Sequence, residues 1–212
     1  MRTAPTYRTT IGSQSVDLPL VPVSDDCSIA LLICVDMGVH FAEVAGRELA
    51  ELLAPARPEV AVSVATMGIP LAIEVSRSLG LDDYLIVHKT PKIHLGGSLA
   101  EPVRSITTDH PQMLRMDPRR SDVARGRRVA VVDDVISTGA SMAAALSLVR
   151  RVGGEPVAVG ALMTEGQAWE GTLGRDSASV VSLGSVPLFR PDPTGPGLRE
   201  DWGRPGTPDG QL

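Results

Sequence analysis

Residues 129–141 read Val-Ala-Val-Val-Asp-Asp-Val-Ile-Ser-Thr-Gly-Ala-Ser, a string that few folds accommodate. Four consecutive apolar residues without polar alternation call for burial on both faces, the situation of a strand inside a parallel sheet. Two carboxylates, Asp133 and Asp134, then fall at the strand's carboxyl end, the edge at which open α/β sheets hold ligands. Ser137, Thr138, Gly139, Ala140 and Ser141 follow and open a helix over residues 141–152 that stops at Gly153-Gly154. Small residues and a glycine ahead of a helix let successive backbone N–H groups converge on an anion, helped by the positive end of the helix. Thr138 and Ser141 can add hydroxyl donors. The two acids do not suit a bare phosphate, which they would repel. They suit a phosphorylated sugar, whose hydroxyls donate to carboxylates, together with a divalent ion held jointly by carboxylates and phosphates. The plainer alternative, an Asp pair that only turns the chain and caps the helix, leaves the string of small residues without a purpose.

The surrounding chain alternates strand and helix. Residues 59–64 and 84–87 are short, apolar and β-branched or aromatic, and residues 156–163 and 179–183 repeat that pattern. Between them, residues 69–79 read as a helix with Pro70 near its start and Gly80 at its stop. Residues 40–53 carry Phe41, Val44, Ala45, Leu49 and Leu52 at helical spacing. Residues 29–35 form an apolar run that predicts the first buried strand. Such alternation predicts an α/β fold, a central twisted and mostly parallel sheet flanked by helices. From residue 90 to 117 no helix is expected; Gly96, Gly97, Pro102, Pro111 and alternating Val103, Ser105 and Thr107 suit a long β-hairpin or mobile flap. Residues 190–212 hold five Pro and five Gly, which predicts a loose tail after a domain spanning residues 1–189.

Composition narrows the function. A net charge of −5 disfavours a broad nucleic-acid surface, and aromatics at 3% leave little for base stacking along a strand of nucleic acid. Cys27 and Cys34 make no disulfide framework. The polar N-terminus lacks a signal-peptide core, and no apolar run is long enough for a membrane span, so a cytoplasmic location is expected. The only two lysines, Lys89 and Lys92, lie three residues apart after a strand, spaced to face one phosphate group. His88 and His94 beside them are weaker candidates.

Residues 129–141 resemble the PRPP-binding motif of type I phosphoribosyltransferases, and the likeness extends over about residues 25–190. The resemblance implies a Rossmann-like sheet with a small hood, built from about residues 1–40 and a C-terminal part, and a flexible β-hairpin flap. It implies transfer of a 5-phosphoribosyl group from PRPP to a nucleobase, with Mg²⁺ as cofactor and a homodimer as assembly. By position, residues 137–141 bind the 5-phosphate, and Asp133 and Asp134 hold the ribose hydroxyls and, through them and the pyrophosphate, the metal. Thr66, Met67 and Gly68 correspond to the pyrophosphate loop, joined by Lys89 and Lys92. Asp109 falls near the flap position at which adenine-type enzymes carry a proton-handling Glu. Asp36 and Met37 lie where the hood covers the base, with Val135, Ile136 and Trp169 completing the base-binding set; Trp169 fits equally well in the core.

Adenine-type members tend to carry Arg where Met67 stands, and hypoxanthine/guanine types usually carry Asp where Ser137 stands. The long segment between Lys92 and Asp133 is closer to adenine and xanthine enzymes than to orotate enzymes. The expected acceptor is therefore a purine of adenine or xanthine type. Two rivals stand beside it: a PRPP-binding regulator without transferase activity, and a transferase with a non-purine acceptor. The regulators that resemble this fold carry an N-terminal winged helix, for which some 25 residues ahead of the expected first strand are too few.

Overall fold

The computed structural model describes residues 5–91, 97, 99–103 and 112–203. Its centre is a parallel sheet built by the alternation seen in the sequence. β4 (Val60–Val64), β5 (Tyr84–Val87), β8 (Arg128–Ile136), β9 (Glu155–Glu165) and β10 (Val180–Ser182) lie in the order β10-β9-β8-β4-β5, with the short β11 (Ser185–Val186) continuing along β9. All their pairings are parallel. Every residue of β4 is buried, as are Val129 to Val132 of β8. That burial is why these strands show runs of Val and Ala with no polar alternation.

Helices cover both faces. α1 (Val39–Leu53) and α2 (Gly68–Leu79) pack on one face, joining Leu49, Leu71 and Val75 to Ala130 and Val132 of the sheet. α3 (Ala140–Arg151) covers the other, where Ala145, Leu148 and Val149 meet Val62, Val129 and Val131. β8 divides its side chains between the two cores in strict alternation over residues 129–132, the period-2 behaviour of a strand.

The hairpin expected between residues 90 and 117 is present as β6 (Leu99–Val103) against β7 (Gln112–Met116), antiparallel. Its stem is a packed element, where the sequence suggested a mobile one. Val103, Leu114 and Met116 are buried in the α3-side core. Arg151 donates to the Ala100 carbonyl and to Glu101, each at 2.7 Å. His88, just past β5, exchanges two backbone hydrogen bonds of 2.9 Å with Arg115.

Within the hood, the strands depart most from expectation. Ahead of the first strand expected from the sequence, β1 (Thr6–Ile11) and β2 (Gln14–Ser24) form a hairpin across Gly12-Ser13. β3 spans Cys27–Ala30, so the strand expected over residues 29–35 ends early, and Cys34–Asp36 form a 3₁₀ turn instead. The loose tail expected from residue 190 onward also fails over most of its described length. β12 (Leu188–Pro191) and β13 (Leu198–Asp201) form a hairpin, and Phe189 pairs with Ser28 of β3. The five strands make one sheet ordered β1-β2-β3-β12-β13. Arg190, 17% exposed, locks it by pairing with Asp26 and Asp201 at 3.2 Å each. Removing the chain after Pro191 strips β13 and the Asp201 partner; a melting temperature about 5 °C lower or more is expected by circular dichroism.

Candidate active site

β8 is the central strand, with β4 on one side and β9 on the other. It therefore delivers Asp133 and Asp134 to the middle of the sheet's carboxyl edge. Asp133 is 8% exposed and lies opposite Ala161 of β9. Its Oδ1 accepts the Asp134 N–H at 3.1 Å. Burial pushes the Asp133 carboxyl well above the ordinary carboxylate range, the Asp134 charge adds to the push, and Lys89 opposes it. Burial raises Asp134 as well. As a pair, the two carboxyls keep a proton to higher pH than isolated acids do, because two adjacent charges out of water are costly.

The loop after β8 turns into α3 at Gly139, whose φ of +78° is a left-handed conformation natural to glycine. α4 (Ala168–Leu173) packs directly on this point: a side-chain carbon at 139 would lie 3.2 Å from the Cα and Cβ of Trp169. Gly139→Ala is therefore expected to destabilise the protein by about 1–2 kcal/mol from the backbone alone, read by urea unfolding, and to weaken anion binding at the loop.

A cavity of about 200 Å³ lies over this turn, lined by Lys89, Asp133, Val135, Ile136 and residues 137–142. Lys89 extends from the end of β5, two strands away, so strands distant in sequence bring a cation, an acid and a ring of small residues together. Ala140 N–H makes a long 3.4 Å contact to Thr138 Oγ1.

The second loop follows β4. A cis peptide joins Ala65 to Thr66, and the Ala65 N–H donates to the Val87 carbonyl at 2.8 Å. Thr66 is exposed, Met67 is half-buried, and Gly68 is buried at the start of α2. A side-chain carbon at Gly68 would come 2.1 Å from Ser63 Oγ and 2.7 Å from Asp133 Oδ1. The loop thus closes directly onto the acid pair, and only glycine fits.

Of the residues expected from sequence, Asp133, Asp134, Lys89, residues 137–141 and the Thr66-Met67-Gly68 loop meet at one sheet edge. Lys92 and Asp109 lie outside the described residues, as does His94. Asp36 is exposed in its 3₁₀ turn, and Met37 is half-buried against the α1/α2-side core. Ile136 is 2% exposed and turned into the α3-side core, so it shapes the cavity from below. Trp169 packs on that same core and donates its indole N–H to the Gly166 carbonyl at 3.2 Å, which is the core alternative of its two readings. Two neighbours of the site were not expected. Cys34 sits close enough to the acids that burial, then Asp134 and Asp133, push its thiol up to about 11. Ser63 lies beneath Gly68; a polar residue within a buried strand is its only sequence signal.

Among the described residues no group of three or more His, Cys, Asp or Glu side chains converges on a cation site. Two carboxylates alone fit a magnesium ion that arrives with a polyphosphate and keeps most of its ligands from it.

Residues 37–179 match the profile of the phosphoribosyl transferase domain, well over half of the chain, and the chain belongs to that family. It is 31% identical over 124 residues to an orotate phosphoribosyltransferase of Caldanaerobacter subterraneus subsp. tengcongensis, covering 58% of this chain and 54% of the relative. It is 31% identical over 119 residues to an adenine phosphoribosyltransferase of Rhodospirillum centenum, covering 55% of this chain and 64% of that one. The matches thus span between about half and two thirds of these relatives. The crystal structure of an adenine phosphoribosyltransferase from Rhodothermus marinus superposes with a TM-score of 0.60 at 21% identity, over 86% of this chain and 94% of that one, which establishes the shared fold. No helix among the described residues is long and apolar enough to cross a membrane.

Proposed function

We propose that this chain transfers the 5-phosphoribosyl group of PRPP to a ring nitrogen of a nucleobase, a purine of adenine or xanthine type, and releases pyrophosphate. The observation that carries the reading is the cavity in which Asp133, Lys89 and the small-residue loop face one another. A phosphate seats on the N–H groups of residues 137–141 and the start of α3. The acid pair accepts hydrogen bonds from the ribose hydroxyls. As the bond from C1 to pyrophosphate lengthens, positive charge spreads over the sugar, and the carboxylates lie where they offset it. Lys89 and the amides around Thr66 to Gly68 take up the charge of the departing pyrophosphate. Asp133 and Asp134 would help hold a magnesium ion supplied with PRPP, and such an ion would neutralise part of the pyrophosphate charge. The protein's work is positioning and electrostatics, with no covalent intermediate required of it.

The test is pyrophosphate release from PRPP and Mg²⁺ with adenine, xanthine, guanine, hypoxanthine and orotate supplied singly. Turnover with adenine or xanthine supports the reading. PRPP binding without release for any base refutes transfer and favours the regulator. Release with orotate alone supports the second reading, a non-purine acceptor, which Met67 favours because it stands where adenine-type enzymes tend to carry Arg. Lys89→Ala is expected to raise the KM for PRPP about tenfold or more, the loss of one charge-assisted contact, and steady-state kinetics read it. The same resemblance carries a homodimer, which sedimentation velocity tests.

A further inference from the structure

Ser63 is fully buried in β4, and its hydroxyl has no hydrogen-bond partner among the described residues. A buried hydroxyl without a partner is costly and calls for a reason. The fold does not supply one: Ala61, two residues earlier on the same face of β4, is likewise fully buried, so alanine suits this strand. What sets Ser63 apart is its neighbour. Its Oγ and the Oδ1 of Asp133 approach the same point above Gly68, from which a side-chain carbon would be 2.1 and 2.7 Å away. That Oδ1 has a donor in the Asp134 N–H at 3.1 Å. Asp133 is meanwhile withdrawn from water, so a charged carboxylate there depends on donors from the protein.

We propose that Ser63 is a positioning residue for Asp133: its hydroxyl turns onto the Asp133 carboxylate and fixes it when a phosphoribosyl ligand occupies the site. Ser63 itself, without exposed surface, touches no ligand. The unpaired hydroxyl is then a donor held in reserve, whose cost in the free protein is recovered when the sugar is bound. The inference deepens the proposed transferase reading and rests on it.

The test compares Ser63→Ala and Ser63→Cys with the natural protein, by calorimetric titration with PRPP and Mg²⁺, by kcat and KM, and by melting temperature without ligand. Cys keeps the volume but is a weak donor. Both variants are expected to bind PRPP about tenfold more weakly or to lose about tenfold in kcat, as a hydrogen bond to a charged group implies. The ligand-free melting temperature of Ser63→Ala should be unchanged or higher. On an Asp133→Asn background, Ser63→Ala should add less than twofold, since paired groups are not additive. Affinity and kcat within twofold of the natural protein in both variants overturn the inference. A loss of the same size that persists on the Asp133→Asn background, or that accompanies a lower melting temperature in both variants, also overturns it and assigns Ser63 to packing. Failure of the natural protein to bind PRPP at all overturns the transferase reading and this inference together.

Discussion

Replacing both acids, Asp133→Asn with Asp134→Asn, is expected to lower pyrophosphate release by about a thousandfold while leaving the fold at least as stable. The activity loss follows from the role proposed for the pair: amides still accept hydrogen bonds from ribose hydroxyls, but they cannot offset charge building on the sugar, and preorganised groups of that kind contribute about 10²–10³-fold each. The stability expectation follows from burial. Both carboxyls titrate above the ordinary Asp value of 3.8 in the folded chain. Between that value and their folded values, the native state binds more protons than the unfolded chain, so stability falls as pH rises through the window and then levels off. The double Asn variant lacks this slope. Its melting temperature should therefore exceed that of the natural protein by more at pH 7 than at pH 4, in melts without ligand. Turnover that survives the double change would remove the acids from the mechanism.

Gly68→Ala is the second change of large effect. The added methyl would stand 2.1 Å from Ser63 Oγ and 2.7 Å from Asp133 Oδ1, both too close for any pair of non-bonded atoms. Ser63 is anchored in a fully buried strand, and Asp133 sits on the neighbouring strand, so neither can retreat far. The collision must be relieved by moving the loop or displacing the acid. Overpacking of this kind costs about 1–3 kcal/mol, and a displaced acid should reduce kcat/KM about a hundredfold or more, since positioning errors near 1 Å have effects of that order. Guanidinium unfolding and initial rates measure the two separately. Near-normal activity in the variant would place Asp133 away from the reacting sugar.

Legibility in the sequence followed local pattern. The acid pair and its loop could be read because three signals coincide within residues 129–141: an unbroken apolar strand, a change of period, and small residues at the change. The helices α1 and α2 were legible to within a residue at each end, since their buried faces repeat at helical spacing and Gly80 marks a stop. The hood was implied by the resemblance, but its individual strands were missed, for different reasons. In β1 and β2 the buried residues Ile11, Val16 and Leu18 alternate with Thr, Arg, Ser and Asp around Gly12-Ser13, a hairpin signal diluted by polarity. In β12 and β13 the Pro- and Gly-rich composition suggested disorder, whereas partners supplied by β3 and by the Arg190 ion pairs hold those strands. The closeness of Ser63 and Cys34 to the acids could not be read from local pattern, because each depends on how separate strands and turns pack.

The hood sheet weaves together the two extremes of the chain: Arg190 reaches an Asp26 that lies 164 positions away. On a ribosome, which delivers the N-terminal end first, β3 emerges long before its β12 neighbour exists, while every strand of the parallel sheet and the helices packed on it precede β12. Pairing over such a separation is slow to form, because a long loop must close before any contact rewards it. The carboxyl edge of the parallel sheet can thus assemble during synthesis while the second sheet waits for β12 and β13 to appear.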